Sequence, residues 1–344
     1  RLRRWTPKAW PTGGCRVGES MRITFIVPFY NAEGTLARCL DSVRGQSCSD
    51  WSCLCMNDGS TDDSLVLAER FARADNRFTL FSQKNAGAAA ARNRLLENVQ
   101  GDYSVFLDAD DTLHPEAVSH LVAAATASPD MVIGNVRRVR QCGKRDVLYK
   151  HLSECGGSFE SILELCCFQY VPGKAYRTAF LRENAIRFAA LRTYEDEYFL
   201  TQALLKADEI VFIDEILYDY YFNEASLTNA TGRKYEKKHD RIRSAIMKQE
   251  LSSLARQRGE LWKQALDISC LESAREAFAS LSNAAEFRTK LFEEAHVLSR
   301  TMGPIPWRKS VRLWGYALIA RAFRKKSLWG VSVGCWLSKR LPLY

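Results

Sequence analysis

Four short apolar runs, Ile23–Pro28, Trp51–Met56, Phe78–Phe81 and Tyr103–Leu107, are separated by stretches of helical period. The first (ITFIVP) is apolar throughout, as a strand buried on both faces must be. Leu36, Leu40 and Val43 then recur at helical spacing, and Gly45 is placed to close that helix. Ser60 with Asp63 three residues on predicts a capping-box start for a second helix bearing Leu67, Ala68 and Phe71 on one face. An alanine-rich helix is expected over 88–99, another over 116–126, and a short strand over 131–133. Strands alternating with helices of this length mean βαβ units, hence an α/β fold with a mostly parallel sheet flanked by helices. The chain's 344 residues suit one large or two modest domains. With 47% hydrophobic and 26% charged residues, disordered and collagenous chains are excluded.

In such sheets ligands bind at the carboxyl ends of the strands. Those ends read Pro28-Phe29-Tyr30-Asn31, Asn57-Asp58-Gly59-Ser60-Thr61-Asp62, Asn85-Ala86-Gly87 running into Ala91-Arg92-Asn93, and Asp108-Ala109-Asp110-Asp111. The dinucleotide fingerprint G-x-G-x-x-G is missing, which counts against a nicotinamide dehydrogenase. Asp108, Asp110 and Asp111 repel one another unless a cation joins them. Hard divalent cations take oxygen ligands, and Mg²⁺ commonly combines one or two carboxylates with substrate phosphates. A metal-bound diphosphate is therefore the natural guest. Taken alone, D-x-D is equally a solvated acidic turn; its register with three other polar loops favours the site. Asp58 suits contact with a base or ribose, although D-G-S-T-D also makes a good turn unaided. Arg92 suits phosphate, or else a helix surface.

V-P-F-Y-N, N-D-G-S-T-D, N-A-G-A-A-A-A-R-N and F-L-D-A-D-D, in this order, resemble the family 2 glycosyltransferases from about Met21 to about Asn229. Pro172 to Arg177, Tyr194-Glu195-Asp196-Glu197, Ile213-Asp214-Glu215 and Tyr218-Asp219-Tyr220 continue the likeness. The resemblance implies a GT-A fold and an inverting, metal-dependent transfer from a nucleotide-diphosphate sugar, UDP-linked by family habit. It implies that Pro28 and Tyr30 line the nucleotide pocket, that Asp58 binds uracil or ribose, and that Arg92 lies near the nucleotide. Asp108 would approach the ribose or donor sugar. Asp110 would hold Mn²⁺ or Mg²⁺ with help from Asp111, and Asp196 would be the base that deprotonates the acceptor hydroxyl. Outside that context, E-D-E reads equally as an acidic first turn favourable to the helix dipole. Asn57 stands where the family often has Asp. Tyr221 and Phe222 stand where it often places a basic residue, for which Lys174 is the candidate substitute.

The net charge of +9 is unevenly spread: residues 1–20 carry +4, residues 21–300 carry −4 and residues 301–344 carry +9. An acidic body excludes nucleic acid as the expected partner. Residues 1–20 are expected to be a non-native or disordered extension, with the working protein beginning at Met21. The catalytic domain is expected over 21–230 and a helical extension over 231–305. Residues 306–344 form a basic amphipathic tail. Trp307, Val311, Trp314, Leu318 and Ala322 share a helical face there, suited to an anionic membrane surface or to packing on the body. The apolar run Leu313–Ala320 is far short of the roughly 20 residues of a membrane span. The expected location is cytoplasmic, with peripheral contact at the inner face of the cell membrane, and the expected acceptor is a saccharide or lipid-linked glycan. The eleven cysteines show no C-x-x-C pair and are expected as reduced, buried thiols. Competing readings are a nucleotidyltransferase and a degenerate sugar-nucleotide-binding scaffold.

Overall fold

The computed structural model describes residues 2–4, 21–140, 145–148, 162–163, 165–166, 170–221, 234–279, 295, 298, 302 and 319–320. The chain divides into two units. The first comprises residues 1–157, 170–190 and 207–224, and the second residues 158–169, 191–206 and 225–344.

The first unit holds a ten-stranded sheet: β1 (Leu2–Arg4), β2 (Ile23–Phe29), β3 (Trp51–Asn57), β4 (Phe78–Ser82), β5 (Tyr103–Phe106), β6 (Thr112–Leu113), β7 (Met131–Val139), β8 (Arg145–Leu148), β9 (Lys174–Arg177) and β10 (Ile210–Tyr221). Its order is β1-β10-β7-β9-β5-β2-β3-β4, with β6 added to β10 and β8 to β7. The block β5-β2-β3-β4 is parallel, and β9 runs antiparallel between β5 and β7. The expected mostly parallel α/β sheet is therefore present. All seven residues of β2 are buried, as the uninterrupted ITFIVPF run requires.

The helices of this unit are α1 (Leu36–Arg44), α2 (Ser64–Ala74), α3 (Ala88–Asn98), α4 (Ala117–Ala124) and α5 (Thr178–Glu183). Leu36, Leu40 and Val43 lie on the buried face of α1, whose C-cap is Gly45. The second helix departs from the sequence expectation, because it begins at Ser64 rather than just after Ser60. Ser60 is instead spent on the preceding loop, where its Oγ accepts the Asn31 N–H at 3.1 Å. Asp62 supplies the local support, accepting from both the Ser64 N–H and the Ser64 Oγ. Strand β7 also runs six residues past the expected 131–133.

Strand β2 lies between β3 and β5, so the chain winds one way through β3 and β4 and then returns to the other side of β2. That reversal is a topological switch point, and it opens a crevice at the carboxyl ends of β2 and β5. Pro28 fits there for a specific reason. Strand β5 pairs with β2 only as far as Ile26, whose carbonyl accepts the Leu107 N–H. Two residues on, Pro28 faces the same side, where no ladder continues and its missing N–H costs nothing.

The second unit contains α6 (Glu195–Lys206), α7 (Lys234–Glu250), α8 (Ser252–Arg258) and α9 (Glu260–Ala279). Five described cysteines, Cys39, Cys53, Cys55, Cys166 and Cys270, are free and buried. Cys48 departs from the expectation: it is disulfide-bonded. The tail 306–344 lies outside the described residues apart from Ile319 and Ala320, and residues 5–20 lie outside them altogether.

Candidate active site

Three loops meet at the carboxyl ends of β2, β3 and β4. Asn31, in a left-handed conformation (φ 48°), accepts the Thr61 N–H at 2.8 Å, and the Ala32 N–H donates to Ser64 Oγ at 2.7 Å. These bonds stitch the loop after β2 to the loop after β3. Asn57 uses both ends of its amide: Nδ2 donates to Ser82 Oγ at 3.1 Å and Oδ1 accepts the Ser60 N–H at 2.9 Å. An amide both donates and accepts here, where the ionised carboxylate of Asp could only accept, a physical reason for Asn over Asp at this place. Gly59 has φ 75°, and a Cβ on it would lie 2.8 Å from the Asn85 nitrogen, so a side chain there would be strained and crowded.

Asp58 is buried. Its Oδ1 accepts from Gln83 Nε2 (2.8 Å) and the Ala86 N–H (2.9 Å), and its Oδ2 from the Gly87 N–H (2.8 Å). It thus draws the loop before α3 against the end of β3. Tyr30, by contrast, projects 48% exposed beyond β2.

The acidic loop follows β5. Arg92, its side chain 7% exposed on α3, donates from Nη2 to Asp108 Oδ1 at 2.8 Å. Asp111 is enclosed: Oδ2 accepts from Tyr218 Oη at 2.6 Å and Oδ1 from the Tyr221 N–H at 2.7 Å. Tyr218 Oη in turn accepts the Asp108 N–H at 3.2 Å, so β10 grips both ends of the loop. Burial first, then the Asp108 charge, pushes the Asp110 carboxyl up to about 6. Burial first, then the Asp110 and Asp108 charges, push Asp111 up as well, against the bonds from Tyr218 and Tyr221. Crowded carboxylates with one bonded guanidinium are the donor set a hard divalent cation would neutralise. Among the described residues no three His, Cys, Asp or Glu side chains converge to hold a metal by themselves.

The first unit thus brings together Pro28, Tyr30, Asp58, Arg92, Asp108, Asp110 and Asp111 on the carboxyl ends of neighbouring strands and the helix that follows β4. Asp196 belongs to the second unit, half-buried in the first turn of α6. Its neighbour Glu197 is buried and bonds to Lys248 Nζ at 2.8 Å and Ser273 Oγ at 3.0 Å. Burial alone would raise the Glu197 carboxyl, but Lys248 and Arg241 outweigh it and hold it below its ordinary value. Tyr194, just before the helix, has φ 63°, a strained conformation for an aromatic residue. Ser244 Oγ holds its carbonyl at 3.1 Å, and Arg241 lies 4.7 Å over its ring.

Lys174 is buried, with Nζ donating to the Tyr170 and Pro172 carbonyls, so it ties down its own turn. Sequence reasoning missed Gln83 and Arg38 as parts of this region, and marked Tyr221 only as standing where the family often has a basic residue. Arg38 announced itself only as a basic residue off the apolar face of α1. A cavity of about 730 Å³ opens at the amino end of β5, lined by Met21, Gly101, Asp102, Tyr103 and Arg177 among others. None of the candidate residues lines it, and it lies at the end of a parallel sheet opposite to where ligands bind.

Residues 24–191 match the family model described as Glycosyl transferase family 2. The chain is 29% identical over 227 residues to Glycosyltransferase GlyA of Streptococcus pneumoniae, covering 62% of this chain and 32% of that protein. It is 27% identical over 228 residues to the Bacillus subtilis protein named Putative glycosyltransferase EpsH, covering 64% and 65%. The chain thus spans less than two thirds of either relative. The solved structure of S. aureus TarS in complex with UDP-GlcNAc matches with a TM-score of 0.71 at 20% identity, over 93% of this chain and 91% of that one. At that identity the likeness is one of fold.

Proposed function

With a glycosyltransferase family 2 domain of GT-A fold standing over residues 24–191, we propose that this chain is an inverting, metal-dependent glycosyltransferase. It moves a sugar from a nucleoside-diphosphate donor, UDP-linked, to a hydroxyl of a saccharide or lipid-linked acceptor in bacterial surface polysaccharide synthesis. The observation that carries this reading is the loop Asp108–Asp111 at the switch point, clamped by Arg92 and β10 beside the Asp58 loop. The UDP-sugar bound by the structural relative TarS supports the choice of donor.

In this reading Pro28 and Tyr30 flank the nucleoside, and Asp58 keeps the base and ribose loop in place. Arg92 orients Asp108 toward the ribose or donor sugar. Asp110, with Asp111 behind it, would hold Mn²⁺ or Mg²⁺, whose charge neutralises the departing diphosphate. Asp196 takes the proton of the acceptor hydroxyl. The acceptor oxygen forms its bond to the anomeric carbon as the bond to the diphosphate breaks on the opposite face. One base and no carboxylate nucleophile gives inversion. No described helix is long and apolar enough to cross a membrane. The proposed location is the cytoplasmic face of the cell membrane, reached through the basic segment 306–344.

Calorimetric titration of UDP, GDP and dTDP with and without Mn²⁺, against an Asp110→Ala variant, tests the donor site. Metal-dependent binding of UDP that the variant loses is the expected result. A folded protein that binds none of the three returns the weight to a degenerate scaffold.

A further inference from the structure

The acidic loop has a second cation besides Arg92, supplied by α1 rather than α3. Arg38 is exposed, yet its guanidinium is fixed at two points. Nη2 donates to the Asp110 carbonyl at 2.6 Å, and Cζ sits 3.8 Å over the centroid of the Tyr221 ring. Tyr221 is itself anchored, its N–H donating to Asp111 Oδ1. A long side chain that would otherwise sample many rotamers is thereby held with its charge at the mouth of the D-x-D loop. A guanidinium carries five N–H donors, and Arg38 spends one on the protein among the described residues. Arg92 differs in kind: it is buried, lies 5.3 Å from the Phe188 ring and is bonded to Asp108.

We propose that Arg38 is the diphosphate-recognition residue of this site, contacting the phosphoryl group nearest the transferred sugar and stabilising the charge that builds on the leaving diphosphate. Planar guanidinium donors match phosphate oxygens in pairs, and a cation held in advance costs no reorganisation as the bond to the sugar breaks. Tyr221 acts through Arg38 as a positioning residue, its ring setting the guanidinium plane. The assignment rests on the donor reading above and adds to it which group meets the second phosphate.

The test is calorimetry of UDP and UMP in the presence of Mn²⁺, on the full chain and on its Arg38→Gln and Arg38→Lys variants. A contact to the second phosphate predicts that Arg38→Gln weakens UDP binding by about tenfold while leaving UMP within about twofold, with Arg38→Lys between. Equal loss of UDP and UMP would mean that Arg38 merely props the loop, and unchanged binding of both would mean no contact; either overturns the assignment. Should the unaltered chain bind neither nucleotide, the donor reading falls and takes this one with it. Should it bind UDP and UMP equally, the donor site stands and the Arg38 assignment alone fails.

Discussion

Asp111 and Asp110 are neighbours in sequence with opposite surroundings. Both oxygens of Asp111 are taken by β10, through Tyr218 Oη and the Tyr221 N–H, and the side chain is shut away from solvent. For Asp110, the bond to Arg38 falls on the backbone carbonyl. The third carboxylate of the motif is thus built into the loop's foundation, and the second is the one to which the proposed function assigns the metal ion. Tyr218→Phe removes one hydroxyl and leaves a buried carboxylate oxygen short of a donor. The expected cost is about 1.5–3 kcal/mol, the usual worth of a hydrogen bond to a charged group. Urea denaturation measures it; a midpoint equal to that of the unaltered protein would show that Asp111 needs no anchor.

At the start of α6 one of three successive acidic residues is anchored by the helices packed against it. Glu195, Asp196 and Glu197 all favour the positive end of the helix, and the sequence could not say which of them faced inward. Packing decides it. Glu197 lies against Lys248, Ser273 and Arg241, while Asp196 stays half-buried at the surface of its unit. Glu197→Gln would leave Lys248 facing a neutral amide in a buried place, at an expected cost of about 3–5 kcal/mol. Because the folded protein holds the Glu197 proton less tightly than the unfolded chain does, this stabilisation is fully present above the ordinary value of 4.5. It is lost as pH falls through the depressed folded value. Thermal unfolding from pH 7 to pH 3 should therefore show the gap between the two proteins closing on the acid side. A gap that stays constant over that range would mean that the cost of the substitution does not come from the ionised carboxylate.

At the scale of the whole molecule, charge is segregated along the chain: the body nets −4 and the last 44 residues carry +9. Flotation of the full chain with anionic liposomes, lost on truncation after residue 305 and weakened by salt, is the expected consequence of a tail that meets a lipid surface. Equal flotation of both chains would assign the tail another role. Periodicity alone determined the parallel βαβ core, because strands buried on both faces and helices with one buried face leave separate marks on a linear pattern. The polar residues at the ends of β2 to β5 were legible for the same reason, since each apolar run stops within one residue of the end of its strand. Strands β9 and β10 were not read as strands, because their places in the sheet depend on partners distant in sequence: Lys174 with Ile133, Ile210 with Met131. Which carboxylates anchor and which stay open was likewise decided only by tertiary structure. The partners of Asp111 lie more than 100 residues away, and Arg38 meets Asp110 across 72. A local pattern states which side chains are available; only the folded chain sets the dielectric and the partners that give each one its chemistry.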